Sequence, residues 1–545
     1  MHSLKQLICS GLMITATSTQ ASDTALQSQL QSMLDGDRTG VCMAVATIDH
    51  GVKRAIACAD STASQKRQLD FDTSFEIGSI SKTMTAVVAA GLMRDSNLSL
   101  DTPIVTLLPA GTQVPDFAGQ PIRIRHLLTH TSGLPPLPSR MTATSLTDPY
   151  RNLSAQALLD SLADVKLVQA PGESFQYSNF AMMLLSYALE HHSQRNFDTL
   201  LADYVFTPLE MKHSFTHKKP KGIHLAQGHS PLAKPVSDWT FKPGLHGAGG
   251  IRASLNDMIR YALAHLSKHN DEVTALLRST HTELSQVNGQ RVAYNWMIDA
   301  MGDTEILAHE GGTGGFSALI ALEPQRQRGI VILADTALTS LGGLSAYAMA
   351  LMEESAPAPQ PRREQTPPAT LLTNLAGDYH LTGTGLRMRV WSEKGILKAQ
   401  ATGQGAFELR YDSRGDFYPT GFDALLRPVE TPHGMRFQWH QGGGVSLAER
   451  IGAEPAERTL PVEKLREYVG TYPLMPGFSL TVDVSNNTLA IQGTGQSALT
   501  VQAVAEDEFW RGDVGAKFVF NRDAHGQVIS VTLNQHGQAI TGNKQ

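Results

Sequence analysis

The last third of this chain contains the same short sequence blocks twice, at an almost constant distance. LAGDYHL at 375–381 resembles YVGTYPL at 468–474, and ATGQGAFEL at 401–409 resembles GTGQSALTV at 493–501. GDF before Tyr418 resembles DEF before Trp510, and the three offsets are 93, 92 and 92 residues. Short alternating runs separated by glycine and Asp or Asn turns are typical of β-strands. The sequence therefore predicts two copies of one small, barrel-like all-β domain, roughly 371–456 and 460–545.

A proline-rich segment precedes the two copies. It reads ESAPAPQPRREQTPPAT over residues 354–370, a composition typical of an exposed linker. A chain of 545 residues is too long for one hydrophobic core. Because helical and strand patterns are mixed upstream, we predict one larger domain with both helices and strands over residues 22–353. We expect the β-domains to shape access to its site rather than to carry chemistry.

The N-terminus has the pattern of a secretory signal. MHSLK carries positive charge, LICSGLMITA is apolar, and the small residues of STQA end at Ala21, which predicts a signal peptide over residues 1–21. No apolar run approaches the length of a membrane span. The net charge of −6, without a basic block, argues against nucleic acid as a partner. We therefore expect a periplasmic or secreted protein.

Export gives meaning to two cysteines, because disulfides persist in oxidising compartments. VCMAVATIDHGVKRAIACA, residues 41–59, is typical of a hairpin around Asp49-His50-Gly51. With Ile48 facing Val52, Cys42 lies opposite Cys58. A disulfide is then geometrically reasonable, although a slip of one residue would place the two side chains on opposite faces. The alternative is two free thiols in a buried hairpin.

The segment FEIGSISKTMTAVVAAGL, residues 75–92, combines a helix with two reactive side chains. Its apolar residues recur at helical spacing, which predicts one buried stripe formed by Ile80, Met84, Val87, Val88, Gly91 and Leu92. Ser79 falls at the helix N-terminus, and Lys82 lies on the same face within reach of its hydroxyl. A serine needs an adjacent base to become a nucleophile, and a buried lysine has a lowered pKa. Taken alone, the pattern favours a plain N-cap for Ser79 and a solvated charge for Lys82, because S-x-x-K often occurs by chance.

The surrounding motifs favour catalysis. FEIGSISKT resembles the nucleophile motif of serine β-lactamases and penicillin-binding proteins. Four later segments are similar to the class C β-lactamase branch, which includes esterases, D-aminopeptidases and DD-peptidases: IRIRHLLTHTSGLPP, PGESFQYSNFAMMLL, AGGIRASLNDMIRYA and ILAHEGGTGGFSALIALEPQRQRGIVILAD. The resemblance covers about 25–352. It implies an α/β (α+β) catalytic domain whose central antiparallel sheet is flanked by helices.

The resemblance also implies roles for particular residues. Ser79 would attack a carbonyl and form an acyl-enzyme, while Lys82 and Tyr177 would share the proton transfers. A phenol acts as a base only if neighbouring positive charge lowers its pKa from about 10. Asn179 would hydrogen-bond Lys82 or the substrate amide. The oxyanion hole would consist of the backbone N–H groups of Ser79 and Gly312.

One motif departs from the lactamase pattern. Where lactamases carry K-T-G, this chain has His309-Glu310-Gly311, an H-x-G form that resembles D-aminopeptidases and several esterases. Histidine is largely neutral at pH 7, so it offers less to a substrate carboxylate than lysine does, and it would recover charge near or below pH ~6.5. Glu310 would either contact a substrate ammonium group or face solvent. The layout also resembles three-domain D-aminopeptidases.

We therefore expect an exported serine hydrolase, namely a D-amino-acid-specific aminopeptidase acting on small peptides, aminoacyl amides or esters, including cell-wall fragments. The alternatives are a carboxylesterase, a DD-peptidase or a weak β-lactamase. A different class is a cell-wall recognition protein with a dormant site. No cofactor is expected, because the cysteines are few and the histidines form no HExxH-type metal motif.

Overall fold

The computed structural model describes residues 17–545 except for short gaps. The gaps are 61–65, 143–147, 354, 383, 385, 432–433, 442–443, 452–457, 476, 512–515, 524 and 536–537, and the side chains of 17–23, 535 and 538 are also outside the description. Residues 1–16, and with them most of the predicted signal peptide, lie outside the described residues. Within the described part, no helix is both long and apolar enough to cross a bilayer.

Most helices belong to the first two thirds of the chain. They are α1 Thr17–Leu34, α2 Ser81–Asp95, α3 Ile124–Leu128, α4 Ala155–Ala163, α5 Asn179–Ser193, α6 Phe197–Leu201, α7 Leu255–Leu266, α8 Glu272–Ser279, α9 Ser345–Met352, α10 Ala369–Leu375 and α11 Val462–Arg466.

The strands of the same region form one large sheet and two small ones. They are β1 Cys42–Ile48, β2 Val52–Cys58, β3 Ser74–Glu76, β4 Asp116–Phe117, β5 Gln120–Pro121, β6 Arg252–Ser254, β7 Ser285–Val287, β8 Gln290–Val292, β9 Met297–Met301, β10 Thr304–Gly312, β11 Ser317–Glu323 and β12 Arg328–Ala334. The large sheet has the order β2-β1-β12-β11-β10-β9-β8-β7, with antiparallel pairs, and β3 pairs with β6.

The central strands β1, β11 and β12 are buried on both faces of the large sheet, and they are apolar at successive positions rather than alternating with polar residues. Along β1, Met43 and Val45 pack in a core with α1 and α9, whereas Ala44 and Ala46 pack in the main core with α2, α5 and α7. The prediction of a single buried stripe on α2 is wrong. Every residue from 81 to 92 is buried, because α2 runs through the centre of the helical layer and is packed on all sides.

The first hairpin has the predicted register. Ile48 pairs with Val52 and Cys42 pairs with Cys58, and the two buried cysteines form a disulfide. The outer edge of β2 is covered by α1. The Gln27 side chain accepts a hydrogen bond from the Ile56 N–H at 3.1 Å and donates one to the Ile56 carbonyl at 2.7 Å, as a neighbouring strand would.

Strands fill the rest of the chain. They are β13 Glu364–Gln365, β14 Gly377–Leu381, β15 Arg387–Glu393, β16 Ile396–Ala401, β17 Phe407–Asp412, β18 Phe417–Pro419, β19 Leu425–Thr431, β20 Gly434–Gln441, β21 Gly444–Arg450, β22 Gly470–Met475, β23 Phe478–Ser485, β24 Thr488–Gly493, β25 Leu499–Ala505, β26 Glu508–Arg511, β27 Ala516–Arg522, β28 Val528–Gln535 and β29 Gln538–Asn543.

These strands form two barrel-like sheets. The first has the order β13-β17-β16-β15-β14-β21-β20-β19-β18 and closes by an additional β17–β18 pairing. The second runs in sequence order from β22 to β29, and its ends meet where the Gln545 N–H donates to the Thr471 carbonyl at 2.9 Å. The repeat-matched Tyr379 and Tyr472 are both fully buried. The predicted fold class, a helix-flanked antiparallel sheet followed by small all-β domains, is confirmed.

By tertiary contacts the chain forms two compact units. One comprises residues 1–375, 391–399 and 405–447, and the other comprises 376–390, 400–404 and 448–545. The division at residues 371 and 460 predicted from the repeat remains a prediction.

The proline-rich segment contains a buried arginine at its centre. Arg362 is 3 % exposed, and its guanidinium donates to Asp412 at 3.0 Å and to Asp416 at 2.7 Å. Arg38 also binds Asp412, and Arg427 binds Asp416. The composition of the segment predicted an exposed linker, but its centre is buried. Two buried carboxylates, Asp412 and Asp416, require the charge of these arginines.

An apolar core lies in the same unit as this arginine–aspartate cluster and contains residues from two distant segments. The cluster consists of Arg38, Arg362, Asp412, Asp416 and Arg427. Tyr418 and Leu425 from the β-strand region pack in the same core as Leu338 and Leu344, which follow β12. Tyr418 and Leu425 thus complete a core of the first unit, while the expectation that the β-domains shape access to the site stays a prediction.

We expect Arg362→Ala to lower the free energy of unfolding by roughly 3–5 kcal/mol, because it leaves buried carboxylates short of a partner. The matched control is Arg363→Ala, whose side chain is 55 % exposed and whose loss should cost less than about 1 kcal/mol. Denaturant unfolding of both full-length variants measures this. Equal destabilisation by the two substitutions would contradict the importance of the cluster.

Candidate active site

Ser79 is presented by a turn between a strand and a helix. β3 ends at Glu76, a single 3₁₀ turn spans Gly78–Ile80, and α2 begins at Ser81. The Ser79 side chain is partly exposed although its surroundings are buried. Gly78 has φ +50°, a left-handed conformation that favours glycine. This turn places the partly exposed Ser79 just before the start of α2.

Lys82 lies next to Ser79 and is buried without a carboxylate partner among the described residues. Its Nζ is 2.7 Å from Ser79 Oγ and donates to the Ala248 carbonyl at 2.6 Å. The side chain is fully buried, and burial lowers the pKa of Lys82 well below its usual value. A neutral amine has a free lone pair, so Lys82 can accept the Ser79 proton.

Tyr177 contacts the same pair. Its hydroxyl interacts with the Ser79 side chain, and Lys82 Nζ lies 4.9 Å from the centre of its ring. Burial raises the pKa of Tyr177, which does not fit a phenolate base created by positive charge. Because Lys82 has a lowered pKa, the geometry instead suits a neutral phenol that relays a proton.

The glycines of the H-x-G segment permit close backbone contact with the serine turn. A Cβ on Gly311 would lie 2.0 Å from the Ile77 carbonyl oxygen, and a Cβ on Gly78 would lie 2.7 Å from the Gly312 nitrogen. Side chains at these positions would therefore push β10 away from Ser79. The arrangement puts the Gly312 backbone beside Ser79, where the sequence predicts the oxyanion hole.

His309 is buried, with 3 % exposure, and it is neutral. Burial, followed by the nearby Lys82, lowers the pKa of His309 to about 3. The expectation that it would gain charge near pH 6.5 is therefore wrong. Nδ1 lies 2.9 Å from the Glu310 carbonyl and must carry the proton to donate to it. Nε2 is then an acceptor, and it has no hydrogen-bond partner among the described residues.

Asn179 begins α5 but does not contact Lys82. Its Nδ2 donates to the Tyr150 hydroxyl at 2.9 Å, and its buried Oδ1 has no partner within the described part of the chain. Tyr150 stacks on Phe241, with ring centres 4.7 Å apart, and meets the edge of Trp239 at 5.1 Å. No sequence motif marks Tyr150, so its place beside Asn179 could not be predicted from the sequence.

Glu310 points away from the nucleophile. Its carboxylate accepts a hydrogen bond from the Leu344 N–H, at the start of α9. Because a strand alternates its side chains between faces, His309 and Glu310 cannot both face the serine. Glu310 therefore holds the turn before α9 rather than a substrate ammonium group.

The structure brings together Ser79, Lys82, Tyr177, His309 and the Gly311–Gly312 backbone. It adds His130, which the sequence analysis quoted within HLLTHTSGL but did not single out. The His130 and Tyr177 rings are 4.3 Å apart between centroids. A histidine inside a motif that resembles the family was a signal that could have identified it.

Comparison with known proteins assigns the family. Residues 27–351, more than half of the chain, match the Beta-lactamase family, and residues 454–544 match a domain family of unknown function, DUF3471. The chain therefore belongs to the Beta-lactamase family, whose related β-lactamases and penicillin-binding proteins are serine hydrolases. The suspected membership in the serine β-lactamase and penicillin-binding-protein superfamily is confirmed.

Two curated relatives illustrate the range within the family. The chain is 24 % identical over 319 residues to the D-alanyl-D-alanine-carboxypeptidase/endopeptidase AmpH of Escherichia coli K12, covering 56 % of this chain and 82 % of AmpH. It is 27 % identical over 329 residues to a β-lactamase of Pseudomonas fluorescens, covering 54 % of this chain and 88 % of that protein.

Two solved structures share the fold. A β-lactamase/D-alanine carboxypeptidase from Yersinia pestis superposes with a TM-score of 0.51 at 22 % identity, covering 62 % of this chain and 99 % of that one. The octameric penicillin-binding protein homologue from Pyrococcus abyssi gives 0.51 at 17 % identity, covering 87 % and 98 %. At these identities the likeness concerns the fold alone.

We expect activity to depend on a neutral Lys82. Because its pKa is lowered, kcat/KM for an uncharged ester should rise with pH through that lowered value and reach a plateau well below pH 10. Lys82→Arg keeps a cation that cannot accept the proton and should lose about 10²–10⁴-fold at every pH. The pH–rate profile measures this, and a wild-type profile still rising towards pH ~10.5 would contradict it.

Proposed function

We propose that this chain is an exported serine peptidase that removes an N-terminal D-amino acid from short peptides and aminoacyl amides through an acyl-enzyme on Ser79. The observation that carries the proposal is the neutral His309, which offers a hydrogen-bond acceptor where lactamases offer a lysine ammonium group. An acceptor favours a substrate N–H or ammonium donor and gives nothing to a substrate carboxylate.

The proposed acylation uses the residues that meet at Ser79. Lys82 takes the hydroxyl proton as Ser79 Oγ attacks the substrate carbonyl, and the oxygen that becomes negative is held by the Ser79 and Gly312 N–H groups. The Tyr177 hydroxyl donates its proton to the leaving amine and recovers one from the protonated Lys82. The carbonyl–nitrogen bond breaks, and an ester to Ser79 remains.

Deacylation reverses the proton movements. A water molecule loses a proton to Lys82 as it attacks the ester carbonyl, and Ser79 Oγ leaves with a proton restored.

Asn179 supports the proposal as a substrate contact, because its buried Oδ1 has no partner among the described residues and can accept a hydrogen bond from an amide N–H. The preference for D-residues rests on the resemblance of the H-x-G motif and layout to D-aminopeptidases.

Two other activities remain candidates because relatives bear those names. The relatives named as a carboxypeptidase and a β-lactamase act on substrates with a carboxylate, which a neutral His309 serves poorly. A carboxylesterase would need only Ser79, Lys82 and Tyr177.

The export proposal rests on the N-terminal pattern and is supported by the Cys42–Cys58 disulfide, since such bonds persist in oxidising compartments.

We expect a fluorophosphonate to add once to the wild-type protein and not at all to Ser79→Ala. Ser96→Ala is the matched control, because this serine ends the same α2 helix outside the site. Intact-mass spectrometry of the full-length protein reads the adduct. Labelling of Ser79→Ala at the wild-type rate would refute the nucleophile, whereas an unlabelled wild type would favour a recognition protein with a dormant site.

We expect His309→Lys to raise kcat/KM for nitrocefin about ten- to a hundred-fold relative to a neutral nitrophenyl ester. The introduced ammonium group restores one charge-assisted hydrogen bond to a carboxylate, worth roughly 1.5–3 kcal/mol. His309→Gln is the neutral control and should leave the ratio low. Steady-state kinetics at pH 7.5 with D- and L-aminoacyl amides in the same panel also test the stereochemical preference.

In the wild type, the nitrocefin-to-ester ratio should stay flat between pH 5.5 and 8. The pKa of His309, about 3, keeps the ring neutral throughout that range. Wild-type nitrocefin turnover that equals the best amide or ester substrate would overturn the peptidase proposal.

A further inference from the structure

His130 holds the main chain on both sides of Tyr177. Its carbonyl accepts a hydrogen bond from the Gln176 N–H at 2.8 Å, and its ring Nδ1 accepts one from the Ser178 N–H at 3.1 Å. The two bonds come from one residue and leave only Tyr177 between them. The backbone of Tyr177 is therefore fixed relative to His130.

The imidazole also contacts the Tyr177 side chain. The ring centroids are 4.3 Å apart with the planes inclined by 34°, and Phe175 meets the His130 ring edge-on at 6.0 Å. His130 itself is fully buried and has φ +57°, an uncommon conformation for a residue with a side chain. A strained backbone that is held at a functional site is compatible with a specific role.

The bond to Ser178 requires a neutral ring in one tautomer. Nδ1 can accept from an N–H only if it carries no proton, so the proton sits on Nε2. Burial, with Lys82 and His309 nearby, holds the pKa of His130 well below its usual range. The Asn295 side chain interacts with the ring, but without the geometry of a hydrogen bond.

We propose that His130 is a positioning residue that fixes the direction of the Tyr177 hydroxyl for proton delivery to the leaving group. The inference rests on the proposed function, in which Tyr177 relays the proton. Within the described part of the chain, His130 makes no hydrogen bond to Ser79 or Lys82, and it acts through the bond to Ser178 and through its ring. Loss of the bond to Ser178 or of the contact between the two rings lets the Tyr177 side chain rotate away from the leaving nitrogen of the substrate.

This role predicts dependence on the leaving group. An amine must be protonated to leave, whereas a nitrophenolate leaves without a proton, so poor alignment of Tyr177 slows amide hydrolysis far more than nitrophenyl ester hydrolysis. A purely structural role for His130 would lower both rates together. The ratio of the two activities therefore separates positioning from folding.

The most suitable substitution is His130→Asn. Asparagine tolerates positive φ better than most residues, and its Oδ1 can replace Nδ1 as the acceptor for Ser178, while the contact with the Tyr177 ring is lost. His130→Gln is a second variant in case the first fails to fold. His191→Asn is the matched control, because His191 lies on α5 and its ring Nδ1 also hydrogen-bonds a backbone group, the Leu107 carbonyl, outside the site.

In the full-length protein, we expect His130→Asn to lower kcat for an aminoacyl p-alkylanilide about ten- to a hundred-fold, with KM nearly unchanged. The kcat for the matching nitrophenyl ester should fall less than about threefold. His191→Asn should change neither the kcat for the anilide nor the kcat for the ester. In a Tyr177→Phe background, His130→Asn should have no further effect on the anilide, since the group that it positions is already absent.

Equal losses on anilide and ester, or a full additional loss in the Tyr177→Phe background, would overturn the positioning role. Unchanged anilide turnover in a folded variant would overturn it as well. An inactive wild-type protein would instead refute the proposed hydrolase function, so the two failures are distinguishable.

Discussion

The burial of Lys82 without a compensating carboxylate is the constraint on which the site depends. A charged ammonium group at that position would be costly to desolvate, so the fold favours the neutral amine, and neutrality makes the residue a base. The same burial keeps His309 neutral and Tyr177 protonated. Burial thus sets Lys82, His309 and Tyr177, which are ordinarily a cation, a partial cation and a weak acid, to complementary protonation states.

The sequence was most informative where chemistry and local geometry coincide. Ser79 and Lys82 are three residues apart, so any helical turn brings them together, and the Cys42–Cys58 register follows from a short hairpin. The repeat revealed the β-domains because both copies keep a buried tyrosine, Tyr379 in one and Tyr472 in the other. These features depend on contacts between near neighbours or on a pattern that occurs twice.

The sequence failed where the answer depends on surroundings contributed by distant segments. Helical spacing on α2 showed one apolar stripe, but the alanines and threonines on its other faces are buried by helices that the spacing cannot reveal. Arg362 lies in a segment whose proline content indicated a linker, and partners far from it in sequence, such as Asp412 and Asp416, explain its burial. His309 was expected to titrate near its usual pKa because desolvation is a property of the folded protein.

The side chain of Gln27 has a consequence for the protein before folding is complete. The edge of β2 would otherwise offer free N–H and C=O groups to any other strand, which is how sheets join between molecules. The Gln27 side-chain amide hydrogen-bonds both the N–H and the C=O of Ile56, so α1 blocks that edge from pairing with another strand. A chain that has folded its sheet but has not yet docked its first helix would expose a template for self-association.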